Sequence, residues 1–113
     1  MKIAIIGTTS LFPKMVEHKK RMEAEGHEVR LPCFDLNDLN ENLIGEELEI
    51  CLENKRNIKW ADEVHIFWDQ RSMGTIFDLG MCIALEKPLR AIYIEKKTFK
   101  NVIYQWEWLT HYK

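Results

Sequence analysis

Residues 61–89, ADEVHIFWDQRSMGTIFDLGMCIALEKPL, decide the fold. Asp62–Trp68 reads as a strand: Val64, Ile66 and Trp68 share one face, and Phe67 adds to the other. Asp69–Met73 reads as a loop. The apolar run over Thr75–Glu86 predicts a helix, and Pro88 breaks the chain before a second strand, Leu89–Ile94. Two strands joined through a helix of this length require a parallel crossover.

The same alternation extends in both directions. Lys2–Ile6 is a short apolar run stopped by Gly7, hence a buried strand. A polar loop, Thr8-Thr9-Ser10, leads to an amphipathic helix over 14–25 with a rough stripe of Met15, Val16, Lys19, Met22 and Ala24. Gly26 is its C-cap signal. His27–Leu31 is a short strand closed by Pro32, and 45–59 reads as a further helix. Between them, 34–43 reads as loop with short helical turns. The tail from Phe99 to His111 carries Val102, Ile103, Trp106 and Leu109 at helical spacing. The expected fold is α/β: one domain over residues 1–113, a doubly wound parallel sheet of four or five strands in three layers.

Bulk properties agree. A chain of 113 residues, 46% hydrophobic and 30% charged, is ordinary for one globular domain, not for a disordered chain. The net charge of -2 recruits neither nucleic acid nor an anionic membrane. No run approaches the ~20 apolar residues of a membrane span, and the MKIAIIG start is too short for a signal peptide. Cys33, Cys51 and Cys82 lack metal spacing and read as buried, reduced thiols, so the expected location is cytoplasmic. The four histidines are scattered; neither a metal nor a cofactor is expected. The charges of Lys14–Arg21 read as a solvated helix face, and His65 as packing or surface.

In doubly wound sheets, ligands bind beyond the carboxyl ends of strands. That rule selects two loops, 7–12 and 69–74. The helix after the second loop is apolar almost all round, which predicts a core helix. It nevertheless carries Asp78 in its first turns and Gly80 in its interior, both costly there. Backbone N–H groups around Gly74 and Thr75 would form an anion site, with Ser72 as cap or ligand donor. The helix dipole would keep Asp78 ionised, as a candidate nucleophile. The alternative is plain: an acid in a first helical turn is stabilising by itself, and Ser72 is then only a cap.

This stretch resembles the nucleoside 2-deoxyribosyltransferase superfamily, which includes the 2'-deoxynucleoside 5'-phosphate N-hydrolases. The shared pattern is an AD-hydrophobic strand, a polar loop, then GxxxELGxAxAxxKP. MKIAIIG and AEGHEVRLP look like the family's first and second strands. The resemblance implies a small flavodoxin-like or Rossmann-like fold, a homodimer or higher assembly, and a nucleoside or nucleotide as small-molecule partner. It implies N-glycosidic bond cleavage or transfer through a carboxylate nucleophile, here Asp78. Ser72 stands where the hydrolase branch binds the 5'-phosphate. Asn101, in KNVIYQW, looks like a sugar-binding asparagine supplied by a neighbouring subunit.

Two positions depart from the pattern. Asp78 is one methylene shorter than the family's glutamate. Asn54 stands where the family has an aspartate, and an amide binds but does not exchange a proton. Asp69 is the candidate replacement in that role; it also reads as a loop-starting turn residue. The expected site is therefore Asp78 and Asp69 for chemistry. Gly7, Thr8, Thr9, Phe12, Asn54, Ser72, Gly74, Thr75 and Asn101 are expected to bind substrate. The departures keep a second reading open: a non-catalytic nucleotide-binding module, acting as sensor or sequestering protein.

Overall fold

The computed structural model describes residues 1–33, 44–69, 73–95 and 100–112. Four strands alternate with four helices: β1 (Lys2–Gly7), α1 (Phe12–Ala24), β2 (Glu28–Arg30), α2 (Ile44–Trp60), β3 (Glu63–Trp68), α3 (Met73–Ala84), β4 (Leu89–Ile94) and α4 (Lys100–Tyr112). The expected loop at 34–43 lies outside the described residues. The strands form one parallel sheet in the order β2-β1-β3-β4. β4 slips by one residue against β3 between Ile66 and Phe67.

Strand alternation makes the layers. Ile6, Val64, Ile66 and Trp68 pack with Ile58 of α2, Leu79 and Cys82 of α3, and Ile103 of α4. Ile3, Ile5, Val29 and Phe67 face the opposite way, onto Leu11 and Met15 at the start of α1. Residues of opposite parity thus feed two cores, one on each side of the sheet.

Two glycines are fixed by geometry. Gly26 ends α1 at φ 95°, the left-handed cap conformation. At Gly7 a Cβ would come within 2.9 Å of Met15 Sδ and 3.0 Å of the Phe67 carbonyl oxygen, so only glycine lets β1 end against β3 and α1.

Among the described residues the sheet has four strands, and α4 side chains cover the outer edge of β4. Leu89 N–H donates to Thr110 Oγ1 (3.2 Å), Ala91 N–H to Glu107 Oε2 (2.6 Å), and His111 Nε2 meets the Leu89 carbonyl (3.0 Å). Side chains thereby hold the backbone groups that a fifth strand would pair.

Two expectations about helix faces need correction. α3 is not apolar all round toward the core. It buries Thr75, Asp78, Leu79 and Cys82, and leaves Met73, Ile76 and Phe77 exposed. Gly80 is exposed too, and a Cβ there would meet nothing within 4 Å, so packing does not require glycine. In α1, His18 is buried rather than part of a solvated face. It shares the helical stripe of Met15 and Met22. Of the cysteines, Cys82 is buried, while Cys33 and Cys51 are intermediate; none of the three is in a disulfide.

Candidate functional site

The sheet order reverses at β1: the chain goes from β1 to β2 on one side, then returns to β3 on the other. The carboxyl ends of β1 and β3 therefore flank the switch point, where doubly wound folds bind ligands. Asp69 follows β3 directly and is buried. Across the switch point, the turn after β1 reaches it: Ser10 Oγ donates to Asp69 Oδ2 at 3.1 Å.

That turn is built to be rigid. Gly7 locks the end of β1 against Phe67. A single 3-10 turn over Thr9–Leu11 follows, with Leu11 N–H bonded to the Thr8 carbonyl (3.0 Å) and Leu11 buried. Pro13 then starts α1 at a position where its missing N–H costs nothing. Thr9 is exposed and Thr8 partly so. Phe12 is half-buried and packs against the α1-side core.

α3 supplies the second carboxyl. Gly74 and Thr75 lie inside its first turn, with Gly74 exposed and Thr75 buried. Asp78 sits one turn further on, only 4% exposed. Burial pushes its pKa from 3.8 up to about 7. This corrects the expectation that the helix dipole keeps the group ionised. The dipole's influence falls off within the first turn and is worth about 1 kcal/mol, less than the desolvation of a buried carboxylate. At neutral pH the group therefore stands near half-ionised.

The remaining expected residues divide. Asn54 is buried, and its amide clamps the backbone after β2: Cys33 N–H donates to Asn54 Oδ1 (2.7 Å), and Asn54 Nδ2 approaches the Cys33 carbonyl (3.4 Å). This gives it a structural task whatever else it binds. Asn101 is exposed near the start of α4, in a groove of about 390 Å³ with Tyr104, Gln105, Trp108 and Leu109. A second, mainly apolar groove of about 420 Å³ runs between α2 and α3, beside Phe77 and Met81. Neither groove includes Asp69 or Asp78. Ser72 lies outside the described residues. Asp62, part of the AD motif, is exposed at the far edge and holds Lys2: its Oδ2 accepts from Lys2 N–H at 2.9 Å.

Sequence reasoning missed a polar network beneath α1. His18 Nε2 meets His65 Nδ1 at 2.8 Å, and His65 Nε2 meets Glu63 Oε1 at 2.8 Å. Arg90 Nε and His111 Nε2 flank the same carboxylate at 3.4 and 3.6 Å. When His65 Nε2–H donates to the carboxylate, its Nδ1 can accept a hydrogen bond from His18 Nε2–H. Burial first, then the charges of His65 and Arg21, lower the His18 pKa to about 4. The signal was present: Glu63 and His65 share a strand face with Phe67, and His18 sits three residues after Met15.

The fold is a doubly wound α/β domain with one buried carboxyl, Asp69, at the carboxyl end of its sheet and a second, Asp78, buried in α3. No family model matches the chain, nor does any curated protein. Solved structures do share its fold. A 2-deoxyribosyltransferase from Bacillus psychrosaccharolyticus superposes with a TM-score of 0.71 at 16% identity, covering 100% of this chain and 93% of its own. The CMP N-glycosidase BcmB of Clostridium botulinum gives 0.61 at 18% identity, covering 93% and 80%.

Proposed function

We propose that this protein cleaves or transfers the N-glycosidic bond of a deoxynucleoside or deoxynucleotide, with Asp78 as nucleophile. The observation that carries this reading is a carboxyl group buried on the inner side of α3, held near half-ionisation by burial alone. A core helix gains nothing from such a residue. The fold shared with a deoxyribosyltransferase and an N-glycosidase supports it.

In this reading an Asp78 oxygen attacks C1' of the sugar. The C1'–N bond breaks, its electron pair stays on the base nitrogen, and Asp69 or water supplies the proton. Water, or a second base, then attacks C1' of the ester and releases Asp78 as carboxylate; Asp69 takes the proton in the hydrolytic case. Gly7, Thr8, Thr9, Gly74, Thr75 and Ser72 would line the sugar and its 5' end, and Phe12 the base. Asn101 would act from a second copy, so the working form is a homodimer. Free cysteines fit a reducing compartment such as the cytoplasm.

The test is to incubate the protein with each deoxynucleoside and its monophosphate, with and without an acceptor base, and to measure free base. Release that disappears in Asp78→Ala supports the reading. A sedimentation mass of one chain at micromolar concentration removes the role of Asn101. One observation favours a non-catalytic nucleotide binder instead: the Asn54 amide is engaged by Cys33. Calorimetric binding without base release would establish that alternative.

A further inference from the structure

The Ser10–Asp69 hydrogen bond joins the two loops between which a switch-point ligand would lie, and the glycosidic reading assigns Ser10 no role. We propose that Ser10 is a positioning residue, fixing the Asp69 carboxyl so that it exchanges a proton with the leaving base and the incoming water. The inference rests on the glycosidic reading above.

Three features support it. The donor is presented by a turn with little freedom: Gly7 closed against Phe67 on one side, the Leu11–Thr8 hydrogen bond within it, and Pro13 beyond. The acceptor is a buried carboxyl on the residue directly after β3, where its own backbone leaves the sheet. The bond also spans 59 residues of sequence, so it sets the distance between two loops rather than the shape of one. A proton-transfer group must sit within hydrogen-bond reach of its target, and a shift of ~1 Å can cost about a hundredfold. A hydroxyl donor to one carboxylate oxygen restricts rotation about χ2 and so fixes the plane of the carboxyl group.

The experiment measures base release from a 2'-deoxynucleoside 5'-monophosphate by wild type, Ser10→Ala, Ser10→Thr, Asp69→Asn and the Ser10→Ala/Asp69→Asn pair. Thermal melts of each confirm folding, which an exposed serine should not disturb. The expected result has four parts. Ser10→Ala lowers kcat about tenfold with KM nearly unchanged. Ser10→Thr, which keeps the hydroxyl, restores most of it. Asp69→Asn lowers kcat more than Ser10→Ala does. In the Asp69→Asn background, Ser10→Ala has no further effect, because the group it acts through is gone.

Wild-type kcat in Ser10→Ala overturns the inference and leaves the glycosidic reading intact. So does a tenfold loss that persists in the Asp69→Asn background, or one that falls on KM alone; either places Ser10 on the substrate or in the scaffold. If the wild type releases no base, the underlying reading fails and this inference fails with it.

Discussion

Glu63 and Asp78 are both acidic and both buried, yet their surroundings act on them in opposite directions. Around Glu63, burial pulls the pKa upward, but the His65 hydrogen bond and the charges of His65, Arg90 and His111 outweigh it. The group is held below its ordinary value. Around Asp78 burial acts alone and raises the pKa to about 7. A buried acid with partners is part of the scaffold. A buried acid whose pKa is set by desolvation alone costs stability and has to be explained by something other than folding. The comparison separates the polar network beneath α1 from the candidate site on α3.

The largest effect should fall on activity. Asp78→Ala should lower base release by about a thousandfold or more, because the proposed reaction offers no other nucleophile. Chromatographic assay of free base checks it. Glu63→Gln should leave kcat within a few-fold, since Glu63 begins β3, at the opposite end of that strand from Asp69. If the glutamine variant stops base release while staying folded, the division between scaffold and site is wrong. In activity against pH, the limb set by Asp78 should rise toward a plateau above about pH 7, since only the anion attacks.

Stability should show the reverse order. Glu63→Gln removes the counter-charge from His65, Arg90 and His111, and should destabilise the fold by about 3 kcal/mol in denaturant titration at pH 7. Asp78→Asn should stabilise it at pH 8. The sign follows from linkage. Asp78 has a folded pKa of about 7 against 3.8 for the free group, so the folded state binds more protons between those values. Stability from this group is greatest below pH 4 and falls as pH rises to 7, by up to about 4 kcal/mol.

His18 works oppositely in nearly the same window. Its folded pKa of about 4 lies below the free value of 6.5, so the unfolded chain binds more protons there. Its contribution is complete above pH 6.5 and is lost as pH falls toward 4, by up to about 3 kcal/mol. The two slopes offset each other, and the wild-type curve should be shallow from pH 4 to 6.5. Asp78→Asn should uncover stability that rises with pH. His18→Gln, which keeps a donor toward His65, should uncover stability that falls with pH. Parallel slopes in the two variants would contradict the opposition.

The fold was legible because hydrophobic pattern and breakers agreed at every element. The strand bounds of Leu89–Ile94 match the structure, and Gly26 caps α1 as its position implies. Asp78 stood out in the sequence as an acid interrupting an apolar run, and the structure buries it. What stayed hidden depends on contacts between distant segments. Ser10 and Asp69 lie 59 residues apart, and His18 and His65 lie 47 apart. No local pattern marks a partner at that range. His18 was concealed further by its charged neighbours Glu17, Lys19 and Lys20, which set the apparent character of the helix face. The expectation of an ionised Asp78 failed for a related reason. A dipole argument can be made from sequence position, whereas desolvation depends on everything packed around the carboxyl.

Gly80 provides the smallest and most discriminating test of what α3 is for. It lies two residues after Asp78, in the interior of the helix, with open space where a Cβ would stand. Glycine in that setting costs about 1 kcal/mol against alanine through the freedom it releases on unfolding. Gly80→Ala should therefore raise stability by up to about 1 kcal/mol in a chemical denaturation curve. If base release is unchanged, the functional cost carried by α3 resides in Asp78 alone. If base release falls while stability rises, the open space at Gly80 is used by substrate or by a second copy of the chain, and the candidate site extends along the exposed side of α3. A loss of stability would mean that the helix backbone at Gly80 is not free to carry a side chain.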